Sequence, residues 1–323
     1  MLHARYAECI RPYEESLKQK FAPFHQKCSF SIKKELISNR NAYSPLVRRV
    51  VFMGFELGVD PIFARGERIR RRLNQVLSGA WLSMGSSIAA EMAAGAGYDW
   101  LLFDMEHGTS EYSDLLYQLQ AIQAGEVAGI VRVPAIDAWI FKRVLDLGAH
   151  GIMVPNVTSQ ATAERCVSFA RIPPHGTRGA AQTTRASGYG VHYNQYVQRA
   201  NQSILVVPQI ESRAGCDAAD SIAAVDGIDV LFVGPTDLSV DLGVSSEHMI
   251  GVFREAVVHV AETARRNGKA AGVLVRNIEQ AVAYSELGYT FIALGSDRGL
   301  IGAGMRRNAL ALDGLRAAKG VTS

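Results

Sequence analysis

Eight short apolar runs recur between residues 79 and 296: GAWLSM (79–84), DWLLFDME (99–106), GIVRVPA (129–135), GIMVPNV (151–157), ILVVPQIE (204–211), DVLFVGPT (229–236), AAGVLV (270–275) and FIALGS (291–296). Most are apolar at consecutive rather than alternate positions, so both faces of each strand need cover. Between most of them lie stretches of helical periodicity, at 87–97, 137–149, 215–227 and 277–289. Four junctions share one grammar (AGYDWLLF, LGAHGIMV, DGIDVLFV and LGYTFIAL): a glycine closes a helix and a strand follows at once. Strands alternating with helices indicate a parallel sheet covered by helices. Eight such units over about 240 residues match an α/β fold of the (β/α)8 TIM-barrel type. A doubly wound open sheet is the competitor, but it wants a Gly-rich phosphate turn after its first strand, and SMGSS (83–87) is a poor one. Pro208 is a misfit inside the fifth run, because it has no N–H to give a neighbouring strand.

Residues 1–65 stand outside this rhythm and read as a basic N-terminal extension, with 66–323 as the barrel domain. Residues 1–72 carry 15 Lys and Arg against 7 Asp and Glu, so the remainder is net acidic although the whole chain is +3. That asymmetry argues against a globally basic nucleic-acid binder. The extension is expected to be a flexible segment or a start-site artefact, with Met53 as an alternative start; a partner-docking arm is the other reading. RIRRRLNQVLSG (68–79) reads as the helix leading into the barrel. Cys9, Cys28, Cys166 and Cys216 have neither disulfide-framework nor zinc spacing, which suits a reducing cytoplasm. No apolar run approaches the roughly 18–20 residues of a membrane span, and MLHARYAECIRPYEESLKQK lacks a signal-peptide core. A cytoplasmic protein without membrane or nucleic-acid partners is expected.

In such barrels the chemistry sits at the C-terminal ends of the strands. Asp104, Glu106 and His107 close the second run, Arg132 lies in the third, Asn156 follows the fourth, Gln209 and Glu211 end the fifth, and Asp237 follows the sixth. Each has a plain alternative. Asp237 and Glu211 could cap the helices that follow them, and His107 could be an ordinary loop histidine. Arg132 is harder to dismiss, since a guanidinium in an apolar strand needs an anionic partner. Two carboxylates from adjacent strands, with glutamine at hand, suit a hard cation such as Mg²⁺, Mn²⁺ or Co²⁺ better than zinc. After residue 72 the lysines are Lys142, Lys269 and Lys319, none at a strand end. Imine chemistry is therefore disfavoured, and a Lewis-acid cation is the remaining route to an enolate.

Together FDMEHG (103–108), VRVP (131–134), LDLGAHGIMVPNV (145–157), PPHGTRG (173–179), QIES (209–212) and FVGPTDLS (232–239) resemble the HpcH/HpaI family of metal-dependent pyruvate aldolases. The resemblance runs from about residue 68 to 315, and leaves the first 65 residues without a counterpart. It implies reversible cleavage of a 4-hydroxy-2-oxo acid into pyruvate, or a similar 2-oxo acid, and an aldehyde. It also implies that Glu211 and Asp237 bind the divalent metal, that Gln209 touches the substrate, and that Gly234, Pro235, Thr236 and Asp237 line its carboxylate site. By the same resemblance Arg132 stabilises the developing enolate oxygen, His107 moves the proton, and Asp146 hydrogen-bonds that imidazole. Asp104 and Glu106 would back the metal and the histidine.

Two rivals remain: a CoA-ester carbon–carbon lyase of the citrate-lyase-β or malyl-CoA lyase type, and a non-catalytic barrel. The first needs a basic patch that the acidic barrel segment lacks. The aldehyde half would be chosen by loops at 109–114 and 181–190, with Arg178 and Arg185 available either to grip a distal carboxylate or to serve surface or subunit contacts. The resemblance further implies a homo-oligomer, dimer-based or hexameric, with residues 296–318 either as a helix that partners exchange or as an ordinary barrel-closing helix.

Overall fold

The computed structural model describes residues 62–245 and 250–318. The expectations about residues 1–61, Met53, Cys9 and Cys28 among them, lie outside the described residues. The chain opens with α1 (Ile62–Arg71) and continues β1 (Leu77–Leu82), α2 (Ser87–Gly95), β2 (Trp100–Asp104), α3 (Tyr112–Ala121), β3 (Ala128–Arg132), α4 (Ala138–Asp146), β4 (Gly151–Val154), α5 (Gln160–Ala170) and α6 (Tyr193–Ser203). Then come β5 (Leu205–Ile210), the short α7 (Arg213–Asp217) and α8 (Ala219–Ala223), β6 (Val230–Val233), α9 (Pro235–Asp241), α10 (Gly251–Arg266), β7 (Ala270–Val275), α11 (Ile278–Glu286), β8 (Tyr289–Ser296) and α12 (Asp297–Ala318). All neighbouring strands are parallel, and β8 closes on β1. The fold is the closed eight-stranded barrel that the repeat predicts.

Alternation along each strand sorts the core. Leu77, Trp81, Trp100, Leu102, Ile130, Met153, Val207, Phe232 and Phe291 fill the barrel interior. There Trp100 stacks on Phe291 at 3.9 Å between ring centroids. The intervening Leu101, Phe103, Val131, Ile152, Val206 and Leu231 face outward, against Leu115, Phe141, Cys166 and Val257 of the helices. Where strands feed into helices, side chains cap the exposed N–H groups: Ser86 for α2, Asp137 for α4, Ser159 for α5, Ser212 for α7 and Asn277 for α11.

Pro208 does sit within β5, paired with Val154 of β4. Val206 turns its N–H and C=O toward Asp229, on the β6 side, and Pro208 turns the same way two residues on. The β5–β6 register accordingly pairs only Gln209 with Phe232 and Ile210 with Val233. The missing donor removes a rung without breaking the strand.

The helix leading into the barrel lies earlier than expected, at Ile62–Arg71, and Leu77–Gly79 already belong to β1. Its buried face is Phe63, Arg65, Gly66 and Ile69. Its arginines serve the far end of the barrel, where helices end and their carbonyls lack partners. Arg65 donates to the carbonyls of Ile122 and Gln123, and Arg70 to that of Ile204 and to the Asp229 carboxylate. The basic character of this segment is thus spent on helix C-termini, which favour cations. Among the described residues no helix is long and apolar enough to cross a membrane. Cys166 and Cys216 are buried free thiols.

Candidate active site at the barrel mouth

Asp104 and Arg132 end neighbouring strands in register, so their side chains emerge side by side inside the mouth. Arg132 grips Asp104 with two bonds, Nε to Oδ1 at 2.9 Å and Nη2 to Oδ2 at 2.6 Å. Its Nη1 lies 2.9 Å from Oε2 of Glu106. The guanidinium rests 4.8 Å above the Trp81 ring, whose indole N–H donates to Asp104 at 3.1 Å. The backbone N–H groups of Glu106 and His107 also donate to Asp104 Oδ1. Burial pushes the Asp104 carboxyl up, but the bonds and charge of Arg132, with Trp81 and the His107 N–H, outweigh it and hold the carboxyl below its ordinary range. Asp104 is thus the anchor of Arg132, and it reaches His107 through the main chain.

Glu211 stands on the next inward position after Gln209. It is 9% exposed, and its Oε1 accepts the Asn156 N–H at 2.7 Å. Asn156 adopts a left-handed conformation to present that donor. Glu211 Oε2 has no hydrogen-bond partner among the described residues, and neither does the buried Oε1 of Gln209. Burial above all, then the charges of Asp237 and Glu106, push the Glu211 carboxyl up to about 7 against the Asn156 N–H and Arg132. Burial likewise raises Glu106. Gly234 is required where it is: a Cβ there would fall 2.5 Å from Glu211 Oε2.

These positions settle the capping alternatives. The cap of α7 is Ser212, and Glu211 instead points at Asn156. The N-cap of α9 is Gly234, and Asp237 lies exposed in the first turn of that helix. A cleft of about 340 Å³ opens here. His107, Arg132 and Gln209 line it from one side, Gly234, Pro235, Thr236 and Asp237 from another, with Trp81, Phe232 and Leu274 as its apolar wall. Two acidic side chains with partnerless or exposed oxygens, beside a partnerless amide oxygen, form an oxygen donor set of the kind hard divalent cations take. The residues therefore fit such an ion, although among the described residues no three His, Cys, Asp or Glu side chains group as a metal cluster.

Other expected contacts are not formed within one chain. Asp146 ends α4, which runs back from the mouth to the start of β4, so it lies at the opposite end of the barrel from His107. It sits half-buried, 3.8 Å from Arg178. One chain does not bring Asp146 to the imidazole. Arg178 bonds Tyr196, and Arg185 donates to the carbonyls of Leu147 and Leu119, where helices end. Neither reaches the cleft, and residues 181–190 lie at that same far end; 109–114 do follow β2 at the mouth. The sequence reading missed Trp81, whose signal was its inward parity with the strand's other core residues. It also missed Asp297 and Arg298, which follow β8 at the mouth but were absorbed into a terminal helix.

Fold and site together define a (β/α)8-barrel enzyme with an arginine, a histidine and carboxylate and amide oxygens gathered at the strand ends. The sequence pattern of the HpcH/HpaI aldolase/citrate lyase family matches residues 77–302. A hydroxypyruvate/pyruvate aldolase of Paraburkholderia phytofirmans is 41% identical over 71% of this chain and 91% of its own. A 5-keto-4-deoxy-D-glucarate aldolase of Salmonella arizonae is 36% identical over 77% of this chain and 97% of its own. The crystal structure of an HpcH/HpaI aldolase/citrate lyase family protein from Burkholderia cenocepacia is 37% identical, with a TM-score of 0.72 over 77% of this chain and 99% of that one. The chain belongs to the HpcH/HpaI aldolase/citrate lyase family, and the aldolase reading of the sequence holds.

Proposed function

We propose that this enzyme is a divalent-metal-dependent aldolase that reversibly cleaves a 4-hydroxy-2-oxo acid into pyruvate, or a close 2-oxo acid such as hydroxypyruvate, and an aldehyde. The observation that carries it is the pair of partnerless buried oxygens, Glu211 Oε2 and Gln209 Oε1, beside the cleft that Arg132 and His107 line. Glu211 and Asp237 would hold the cation, with Mg²⁺, Mn²⁺ and Co²⁺ as candidates; bound there, it supplies Lewis-acid polarisation of the 2-oxo group.

The side chains divide the remaining work. Arg132 donates one N–H to each of Asp104 Oδ1 and Oδ2 and pairs with Glu106 by charge, which leaves part of its fork of five donors for the substrate. Held over Trp81, it offers fixed positive charge to the oxygen on which negative charge develops when the carbon–carbon bond breaks. His107, exposed at the rim, takes the proton from the 4-hydroxyl and returns one to the methylene carbon. Gln209 and the Gly234–Thr236 turn flank the 2-oxo carboxylate. Among the described residues no lysine stands at a strand end for imine chemistry: Lys142 is on α4 and Lys269 precedes β7 at the far end.

The names of the relatives support a sugar-acid substrate, with a short polar aldehyde as the second product. The helix α12 exposes Ile301, Met305, Leu312 and Leu315 along one side, a face suited to a dimer-based or hexameric homo-oligomer. The test is pyruvate release from a panel of 4-hydroxy-2-oxo acids, with Mn²⁺ or chelator, by wild type, Glu211→Gln and His107→Ala. Activity needs the cation and both side chains; wild-type turnover by either variant would refute the assignment.

A further inference from the structure

The end of β8 carries a network that the chemistry above does not use. Strand β8 pairs with β1 as Leu77–Phe291, Ser78–Ile292, Gly79–Ala293 and then Trp81–Ser296. Over that last step β8 advances by one residue more than β1. Gly295 lies in the extra stretch at φ +72, a left-handed conformation that suits glycine. A glycine bulge of this kind re-aims the end of a strand. Here it turns Asp297 under the β1–α2 loop.

Asp297 is buried there, and its carboxylate accepts the Ser83 N–H at 3.0 Å, the Ser83 hydroxyl at 3.1 Å and the Met84 N–H at 3.0 Å. Only its bond from the Arg298 N–H, at 2.7 Å, serves α12 itself. Arg298 then donates from Nη2 to the Ser83 carbonyl at 2.8 Å and from Nη1 to the His107 carbonyl at 3.2 Å. The Ser83 carbonyl also accepts the Thr109 N–H, two residues past His107. The main chain of His107 is therefore held from both sides, its N–H by Asp104 and its C=O by Arg298.

We propose that Asp297 and Arg298 are positioning residues that act through His107: the root of α12 fixes the peptide from which the imidazole projects. The inference rests on the proton-transfer role given to His107 above. A loop histidine without this clamp keeps its side chain but samples more main-chain positions, and misplacement by about 1 Å can cost on the order of 100-fold in rate.

The test uses the full chain with Mn²⁺. Wild type, Arg298→Met, Arg298→Lys, Asp297→Asn, His107→Ala and the Arg298→Met/His107→Ala double variant are compared by kcat, KM and deuterium exchange into the pyruvate methyl group. Arg298→Met and Asp297→Asn are expected to lower kcat and exchange together by about 10- to 100-fold, with KM changed less than about twofold. Arg298→Lys, which can still reach one carbonyl, is expected to recover part of the loss. Arg298→Met is expected to add nothing once His107 is alanine, because coupled residues are non-additive. If His107→Ala is impaired while Arg298→Met turns over like wild type, the clamp is overturned. Additive losses in the double variant overturn its action through His107. Full activity in His107→Ala overturns the proposed role of the histidine itself, and with it this inference. Arg298 is exposed, so its variants decide the matter even if Asp297→Asn fails to fold.

Discussion

Replacing Glu211 by glutamine has an effect whose size depends on pH and whose sign depends on the cation. The carboxyl is pushed up to about 7 in the folded protein, first by burial and then by Asp237 and Glu106, from an ordinary 4.5. Below pH 4.5 it is neutral in folded and unfolded chains alike, and contributes nothing. Between 4.5 and 7 the unfolded chain ionises first, so stability falls as pH rises; above 7 the penalty is complete. At pH 8 it amounts to roughly 3 kcal/mol. Glutamine keeps an oxygen for the Asn156 N–H and removes the charge. With chelator present, Glu211→Gln should therefore be the more stable protein at pH 8 and no better than wild type near pH 4.5. For a domain of this size the gain at pH 8 corresponds to roughly 5–10 °C in Tm. Adding Mn²⁺ should reverse the order, because a cation that binds only the folded wild type stabilises it by mass action. The measurement is thermal unfolding of both proteins from pH 4.5 to 8, with chelator and with Mn²⁺. A Tm difference that stays constant across that range would refute the reasoning.

The same proton must leave before a cation can bind, so the apparent Mn²⁺ affinity of the wild type should fall about tenfold from pH 8 to pH 6, measured by calorimetry. Gly234→Ala drives a methyl group against Glu211 Oε2 and should weaken Mn²⁺ binding about tenfold or more, with the circular dichroism spectrum unchanged. Arg132→Met strands the buried Asp104 without its counter-charge; urea unfolding should show a loss of about 3–5 kcal/mol, and turnover should vanish.

The fold was legible because each of its eight strands announces itself as a short apolar run, and because glycine stops recur at the junctions. Strand parity is also written in the sequence for part of the site: Arg132 and Gln209 share the inward face of Ile130 and Val207. What stayed hidden depends on three-dimensional pairing. Asp104 read as a group backing the metal and the histidine, beside its sequence neighbours Glu106 and His107, yet its carboxylate bonds are set by Arg132, its register partner on β3. Asp146 looked close to His107 only through the resemblance, and helix polarity places it at the other end. The clamp at Asp297 depends on a one-residue bulge, which alternation cannot reveal.

Charge at the mouth gives the arrangement its direction. Arg132 is closed off on one side by Asp104 and Glu106, so its charge is already shared before any substrate arrives. Glu211 and Asp237 repel each other, and Glu106 adds to the strain on Glu211. An anionic 2-oxo acid entering this cleft alone would meet net negative charge in a partly dry site, where like charges interact strongly. A dication held by Glu211 and Asp237 would reverse that field, relieving the repulsion and favouring an anionic substrate. Binding should therefore be ordered, cation before substrate, and pyruvate should bind more than tenfold more weakly in chelator than in Mn²⁺ by calorimetry. Equal pyruvate affinity in the two conditions would mean that the acids are neutralised some other way.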